Sequence, residues 1–130
     1  MFSLGSVALE IKDALERMNA KPNSLRPFVV ITAKHEKRER FIQFYGSVEK
    51  GINLDLPIGQ FNPSERARLA IERIFGVLDH VLYETEYGYG FKGCAAAQGA
   101  VWTVAILEAI GFPSNASVVI EEHADGTGVA

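Results

Sequence analysis

A chain of 130 residues, 48% hydrophobic and 22% charged, has the makeup of one globular domain, large enough to bury about two thirds of its unfolded surface. Its 13 Lys and Arg against 16 Asp and Glu leave a net charge of −3, which argues against a nucleic-acid partner, because duplex affinity rests on cations that neutralise phosphates. The single cysteine, Cys94, excludes an internal disulfide and a thiolate metal cage, and fits a reducing compartment or indifference to redox.

The opening residues Met1–Ser6 carry no basic stretch followed by a long apolar run, so they do not read as a signal peptide. The longest apolar stretch, 95–112, is interrupted by Gln98, Thr103 and Glu108 and is a poor membrane span. These features predict a cytoplasmic protein with no membrane partner.

In chain order, Val7, Ile11, Leu15 and Met18 recur at helical spacing and predict a one-faced helix over 6–19, stopped before Pro22. Three strand-like runs follow, 28–33, 40–47 and 52–56, rich in Phe, Val, Ile and Tyr and separated by short polar segments. An antiparallel meander is their simplest pairing. The first run is apolar on both faces while the third alternates, which predicts a more central place for the first. The mixed-charge run Lys34–Arg40 between the first two reads as a solvated connection that discourages edge pairing.

Asn62-Pro63-Ser64-Glu65 reads as a helix start, with Asn62 as N-cap and Pro63 where its missing N–H costs nothing. The helix is expected to run to about 75 with Ala67, Ala70, Ile71 and Ile74 inward, and to stop at Gly76. A fourth strand-like run covers 80–86 and, if it continues to 91, lines Tyr83, Thr85, Tyr87, Tyr89 and Phe91 on one face and Gly88 and Gly90 on the other. A third helix over 95–110 ends at Gly111, and a last strand over 117–122 precedes a small polar tail. The expected fold is therefore α+β: a single domain over 1–123 with an antiparallel sheet of about five strands and three helices, in the order α-β-β-β-α-β-α-β. Residues 124–130 form a flexible tail.

On a wheel at 100° per residue, Gln98, Thr103 and Glu108 of the third helix fall at about 0°, 140° and 280°, which leaves no wet face. Such a helix needs cover on both sides, either from a neighbouring helix within the monomer or from a second subunit. The second alternative makes Ala95, Gly99, Trp102, Thr103 and Ile106 a candidate dimer face, with the four-residue ridge Ala95, Gly99, Thr103 permitting close contact.

Gly88-Tyr-Gly90-Phe-Lys-Gly93 matches the dinucleotide fingerprint by spacing, but the preceding Glu84-Thr-Glu86-Tyr87 is not the apolar run of a buried parallel strand. The acidic residue after the next strand also comes late. A glycine-rich strand or turn that lets a backbone or ring approach closely is the better reading. Tyr87, Tyr89, Phe91, Lys92 and Cys94 nevertheless form a candidate binding segment for a small molecule. His35, His80 and His123 are scattered, no metal site is indicated and no cofactor is implied. Cys94, just before a helix, could be an activated thiol, yet nothing in the sequence marks a base beside it, and a buried structural thiol fits better. No catalytic residue is assigned.

Phe28–Ile31, then Arg40–Phe44, then Leu54–Pro57, with Asn62–Glu65 opening a helix, followed later by Val101–Pro113, resemble the pattern of the type III secretion chaperone-like, or TY-chaperone, proteins. The resemblance implies a homodimeric, non-enzymatic α+β domain, without cofactor, that binds a segment of a client protein along sheet edges or grooves. Client contacts would then come from Val7, Ile11 and Leu15 of the first helix and from the outer strands. The sequence thus leads to a chaperone-like or adaptor protein. The alternative is a small-molecule binder or enzyme built on residues 87–94.

Overall fold

The computed structural model of the chain describes residues 1–71, 81–84 and 88–124. In order come β1 (Phe2–Ser3), α1 (Ala8–Asn19), β2 (Phe28–His35), β3 (Arg38–Ser47), β4 (Gly51–Pro57), α2 (Pro63–Ile71), β5 (Val81–Glu84), β6 (Gly88–Lys92), α3 (Ala96–Ala109) and β7 (Ser117–His123). Every neighbouring pair of strands is antiparallel, and the sheet order is β1-β7-β2-β3-β4-β6-β5.

The α+β class, the single domain, the three helices and the antiparallel meander β2-β3-β4 agree with the sequence pattern. Two strands are additional. A two-residue β1 pairs with the start of β7, and the expected run 80–91 is two strands, β5 and β6, paired with each other. Tyr83 and Tyr89 therefore do not belong to one continuous strand, and Thr85 and Tyr87 lie outside the described residues. The most central strand is β3, with β2 and β4 flanking it. The first run is no more central than the third, because β7 extends the sheet beyond β2 just as β6 extends it beyond β4.

Strand alternation divides the sheet into two unlike faces. Val29, Ile31, Ala33, Ile42, Phe44, Ile52, Leu54, Leu56 and Val118 point to one side and are buried. Against them pack Ile11, Ala14, Leu15 and Met18 of α1 and the inner residues of α3. Val7, Ile11 and Leu15, expected as client contacts, are fully buried in this core. They form the stripe that holds α1 to the sheet.

The same layer settles the cover of α3. Gly99, Trp102, Thr103 and Ile106 are buried within the single chain, so the expected dimer face is not available to a second copy; only Ala95 is exposed. The close approach is real but internal. A Cβ added at Gly99 would stand 2.8 Å from Leu15 Cδ1 and 3.1 Å from Phe44 Cε1. Thr103 enters this apolar contact because its hydroxyl donates to the Gly99 carbonyl at 2.8 Å, leaving no buried donor unmet. Toward solvent α3 presents Ala97, Val101 and Glu108, with Val101 62% exposed.

Asn62 caps α2 as its sequence implies. Its Oδ1 accepts the Glu65 N–H at 2.8 Å, and Glu65 Oε1 accepts the Asn62 N–H at 2.9 Å, a reciprocal capping box. The inward residues differ from expectation: Ala67 is exposed, while Leu69 and Glu65 are buried. Gly76 and Ile74 lie outside the described residues.

Lys34, Glu36, Lys37 and Glu39 are exposed, as a solvated connection would be, but Glu65 draws Arg38 and Arg40 of the same run to the helix side. Only Glu36 and Lys37 separate the paired residues His35 and Arg38, with Glu36 in the left-handed region at φ 56°. The rest of the run is strand. Arg38 and Arg40 share the parity of Ile42 and so point to the helix face. Arg40 Nη2 donates to Glu65 Oε1 at 2.9 Å, and Arg38 Nη2 donates to Glu65 Oε2 at 2.7 Å and to the Ile110 carbonyl at 2.6 Å. The Arg38 guanidinium lies over the Phe112 ring, 4.5 Å from its centroid. Burial would raise the Glu65 carboxyl, but the donors Arg40, the Asn62 N–H and Arg38 outweigh it and hold the group below its ordinary value. This cluster joins β3, the start of α2 and the end of α3.

Candidate binding face

The opposite parity builds the other face. Cross-strand register places Val119, Glu121 and His123 of β7 beside Thr32, Val30 and Phe28 of β2. These lie beside Phe41, Gln43 and Tyr45 of β3, and Gln43 and Tyr45 face Asp55 and Asn53 of β4. No described helix covers this side. Phe28, Val30, Phe41 and Tyr45 are partly exposed, an aromatic and aliphatic strip beside the partly exposed Gln43 and Asp55. Phe28 and His123 stack across the β2–β7 pair with ring centroids 4.4 Å apart and planes at 12°.

At one end the face sinks into a concavity of about 420 Å³, whose walls include Arg26, Phe28, Gln43, Tyr45, Lys50 and Asp55. Two loops form its rim. After Pro22 the chain makes a short 3-10 turn, Asn23–Leu25, and Arg26 closes it in the left-handed conformation, φ 46° and ψ 56°, with its N–H on the Asn23 carbonyl. Facing it is the turn between β3 and β4, where the Ser47 hydroxyl accepts the Lys50 N–H at 3.0 Å. The loops are tied together: the Asn23 N–H donates to Glu49 Oε2 at 2.8 Å and the Val48 N–H to the Lys21 carbonyl at 2.8 Å. The Asn23 N–H is the main reason the Glu49 carboxyl lies below its ordinary value.

Asn53 is the buried polar residue behind this rim, and its bonds are internal. Its amide nitrogen donates to the carbonyls of Tyr45 and Lys50, and its oxygen accepts the Gly93 N–H at 3.3 Å. At the far end of β4, Pro57 has no N–H to give β3. The Gln60 amide replaces it, donating to the Phe41 carbonyl and accepting the Phe41 N–H, both at 2.7 Å.

Three charged groups in the concavity lack such ties. The Arg26 guanidinium, the Lys50 ammonium and the Asp55 carboxyl make no hydrogen bond or ion pair with any described residue. Asp55 is half-buried, and burial raises its pKa above the ordinary aspartate value. On one side it pairs with Gln43 and on the other with Gly90, while Pro57 pairs with Gly88. Over these two rungs β6 therefore has no side chain to crowd Asp55.

No family model, curated protein or solved structure matches this chain.

Part of the expected binding segment falls within the described strand β6. Tyr87 lies outside the described residues. Tyr89 and Phe91 hold register positions opposite Leu56 and Leu54, and Lys92 one opposite Asn53. Cys94 is buried in the core, its N–H donates to the Ile52 carbonyl, and burial pushes its thiol up to about 11, so it is not an activated nucleophile. Gly88 and Gly90 lie in strand β6, and Gly93 takes a left-handed φ of 71° with nothing within 4 Å of where a Cβ would stand, so it is the backbone conformation there, not a close approach, that favours glycine. Sequence reasoning missed Arg26, Phe28, Gln43, Tyr45, Lys50 and Asp55 as a group. The available signal was the two-sided apolarity of residues 28–31, which required cover on both faces of β2.

Proposed function

We propose that this protein is a non-enzymatic, cytoplasmic binding domain, chaperone-like or adaptor in character, that receives a segment of another protein on the open face of its sheet. The observation that carries this reading is the field of half-buried Phe28, Val30, Phe41 and Tyr45 running into a concavity with three charged groups unpaired among the described residues. Such a face costs free energy while wet, and an extended segment with alternating side chains fits its pleat. The likeness of Phe28–Ile31, Arg40–Phe44 and Val101–Pro113 to the TY-chaperone pattern supports the same function. In this reading the protein works as a homodimer that meets through the outer strip of α3, Ala97 and Val101, because the inner residues are already covered.

Peptide display on the immobilised full chain, with a Phe28→Ala/Tyr45→Ala variant as counter-screen, tests the proposal. Segments should be enriched and should bind the variant at least about tenfold more weakly, the scale of losing one anchor residue. Lack of enrichment, or enriched segments indifferent to the variant, overturns it. The size of the concavity also favours a second reading, a small-molecule site, since about 420 Å³ lies within the range of ligand pockets. A thermal-shift screen in which metabolites raise the melting temperature while peptides do not would select that reading.

A further inference from the structure

Arg26, Lys37 and Lys50 have side chains without a hydrogen bond or ion pair among the described residues. Lys37 sits in the two-residue turn between β2 and β3. The other two, far apart in sequence, line one concavity. They are brought there by loops held together through the Asn23–Glu49 and Lys21–Val48 bonds, so the pair is presented on a braced rim. Of the carboxylates nearby, Glu49 is engaged by the Asn23 N–H, so among the described residues Arg26 and Lys50 are the unpaired cations on this rim and Asp55 the unpaired anion within it. Phe28, Gln43, Tyr45 and Asp55 line the same concavity, and Asp55 pairs with Gly90 of β6.

We infer that the concavity selects the client segment by an acidic side chain next to an aromatic one. The carboxylate is held by Arg26 and Lys50, the ring lies on Phe28 and Tyr45, and a main-chain N–H of the segment donates to Asp55 or Gln43. This inference rests on the protein-segment reading above and adds its specificity. Charge-assisted bonds to a carboxylate are the strong ones available to such a rim, and Arg favours carboxylate by the planar fork of its donors. An isolated basic segment is disfavoured, since it would meet two like charges before reaching Asp55.

The test is fluorescence anisotropy on the full chain with three short labelled peptides of the same Ser/Gly background. One carries an Asp-Phe pair, one Lys-Phe and one Ala-Phe. The Asp-Phe peptide should bind at least about tenfold more tightly than the other two at low salt and lose that advantage as salt rises. An Arg26→Glu/Lys50→Glu double variant should reverse the order, preferring Lys-Phe, while its melting temperature stays that of the parent because both side chains are exposed. Equal binding of all three peptides, a preference for Lys-Phe by the parent, or a preference unchanged in the double variant overturns the inference. If display-selected segments bind the open face while the Asp-Phe peptide does not, only the charge selection fails. If neither binds, the protein-segment reading fails with it.

Discussion

Glu65 and Asp55 are both carboxylates withdrawn from water, and the contrast between them separates what holds the molecule together from what it offers to a partner. Glu65, on the helix-covered side, accepts from Arg38, Arg40 and the Asn62 N–H, and its pKa is held down. Asp55, on the open side, has no partner among the described residues, and burial raises its pKa. A buried charge with its oxygens engaged is architecture; a half-buried charge left unbonded in a concavity that two unpaired cations also line is a binding feature waiting for its complement. The same division holds for the aromatics. Phe44 is fully buried between α1 and α3, whereas Phe28 and Tyr45 of the adjoining strands remain partly exposed.

The comparison breaks most visibly at Glu65. Removing this carboxylate by Glu65→Ala leaves two guanidinium groups without their counter-ion and should cost about 3 kcal/mol in chemical denaturation. Gly99→Val, which forces atoms into the 2.8 Å approach to Leu15, should cost about 2 kcal/mol on the same assay, with binding to the open face retained. Asn62→Ala removes half of the capping box and should cost about 1 kcal/mol. Asp55→Asn should move stability by no more than about 0.5 kcal/mol, in the opposite direction, because it relieves a poorly solvated charge.

The two carboxylates also differ in the sign of their pH dependence. Glu65 is depressed relative to the unfolded chain, so its contribution is complete above the ordinary value of 4.5 and is lost as the pH falls through the lower folded value. Asp55 is raised above 3.8, so its charge costs stability at neutral pH, and that cost disappears as the pH falls through the raised value. Equilibrium unfolding followed against pH should accordingly show a shallower acid loss in Glu65→Gln and a steeper one in Asp55→Asn than in the parent.

Much of the fold was legible because it follows from period and punctuation. The stripe Val7, Ile11, Leu15, Met18 and the Asn62-Pro63 start state their own local structure. The pairing of residues distant in sequence was not legible. Nothing local tells Arg38 and Arg40 that Glu65 will cap a helix within reach, so two residues bound for the helix layer resembled the solvated ones around them. The apolar circumference of α3 correctly demanded cover on more than one side, but whether α1 or a second chain supplied it depended on packing. The concavity was hidden for the same reason: Arg26, Lys50 and Asp55 meet only after the sheet register and two loops are in place.

Site-specific photo-crosslinking tests the division between the faces most directly. A benzophenone amino acid is placed at position 45 on the open face or at position 101 on the outer strip of α3, and each full chain is irradiated in extract of its native cell. Position 45 should yield adducts to a discrete foreign polypeptide that are competed by an Asp-Phe peptide, and position 101 should yield adducts to a second copy of the chain. Foreign adducts from position 101 with none from position 45 would contradict the account, since the covered side of the molecule, and not its open sheet, would then be the one that meets a client.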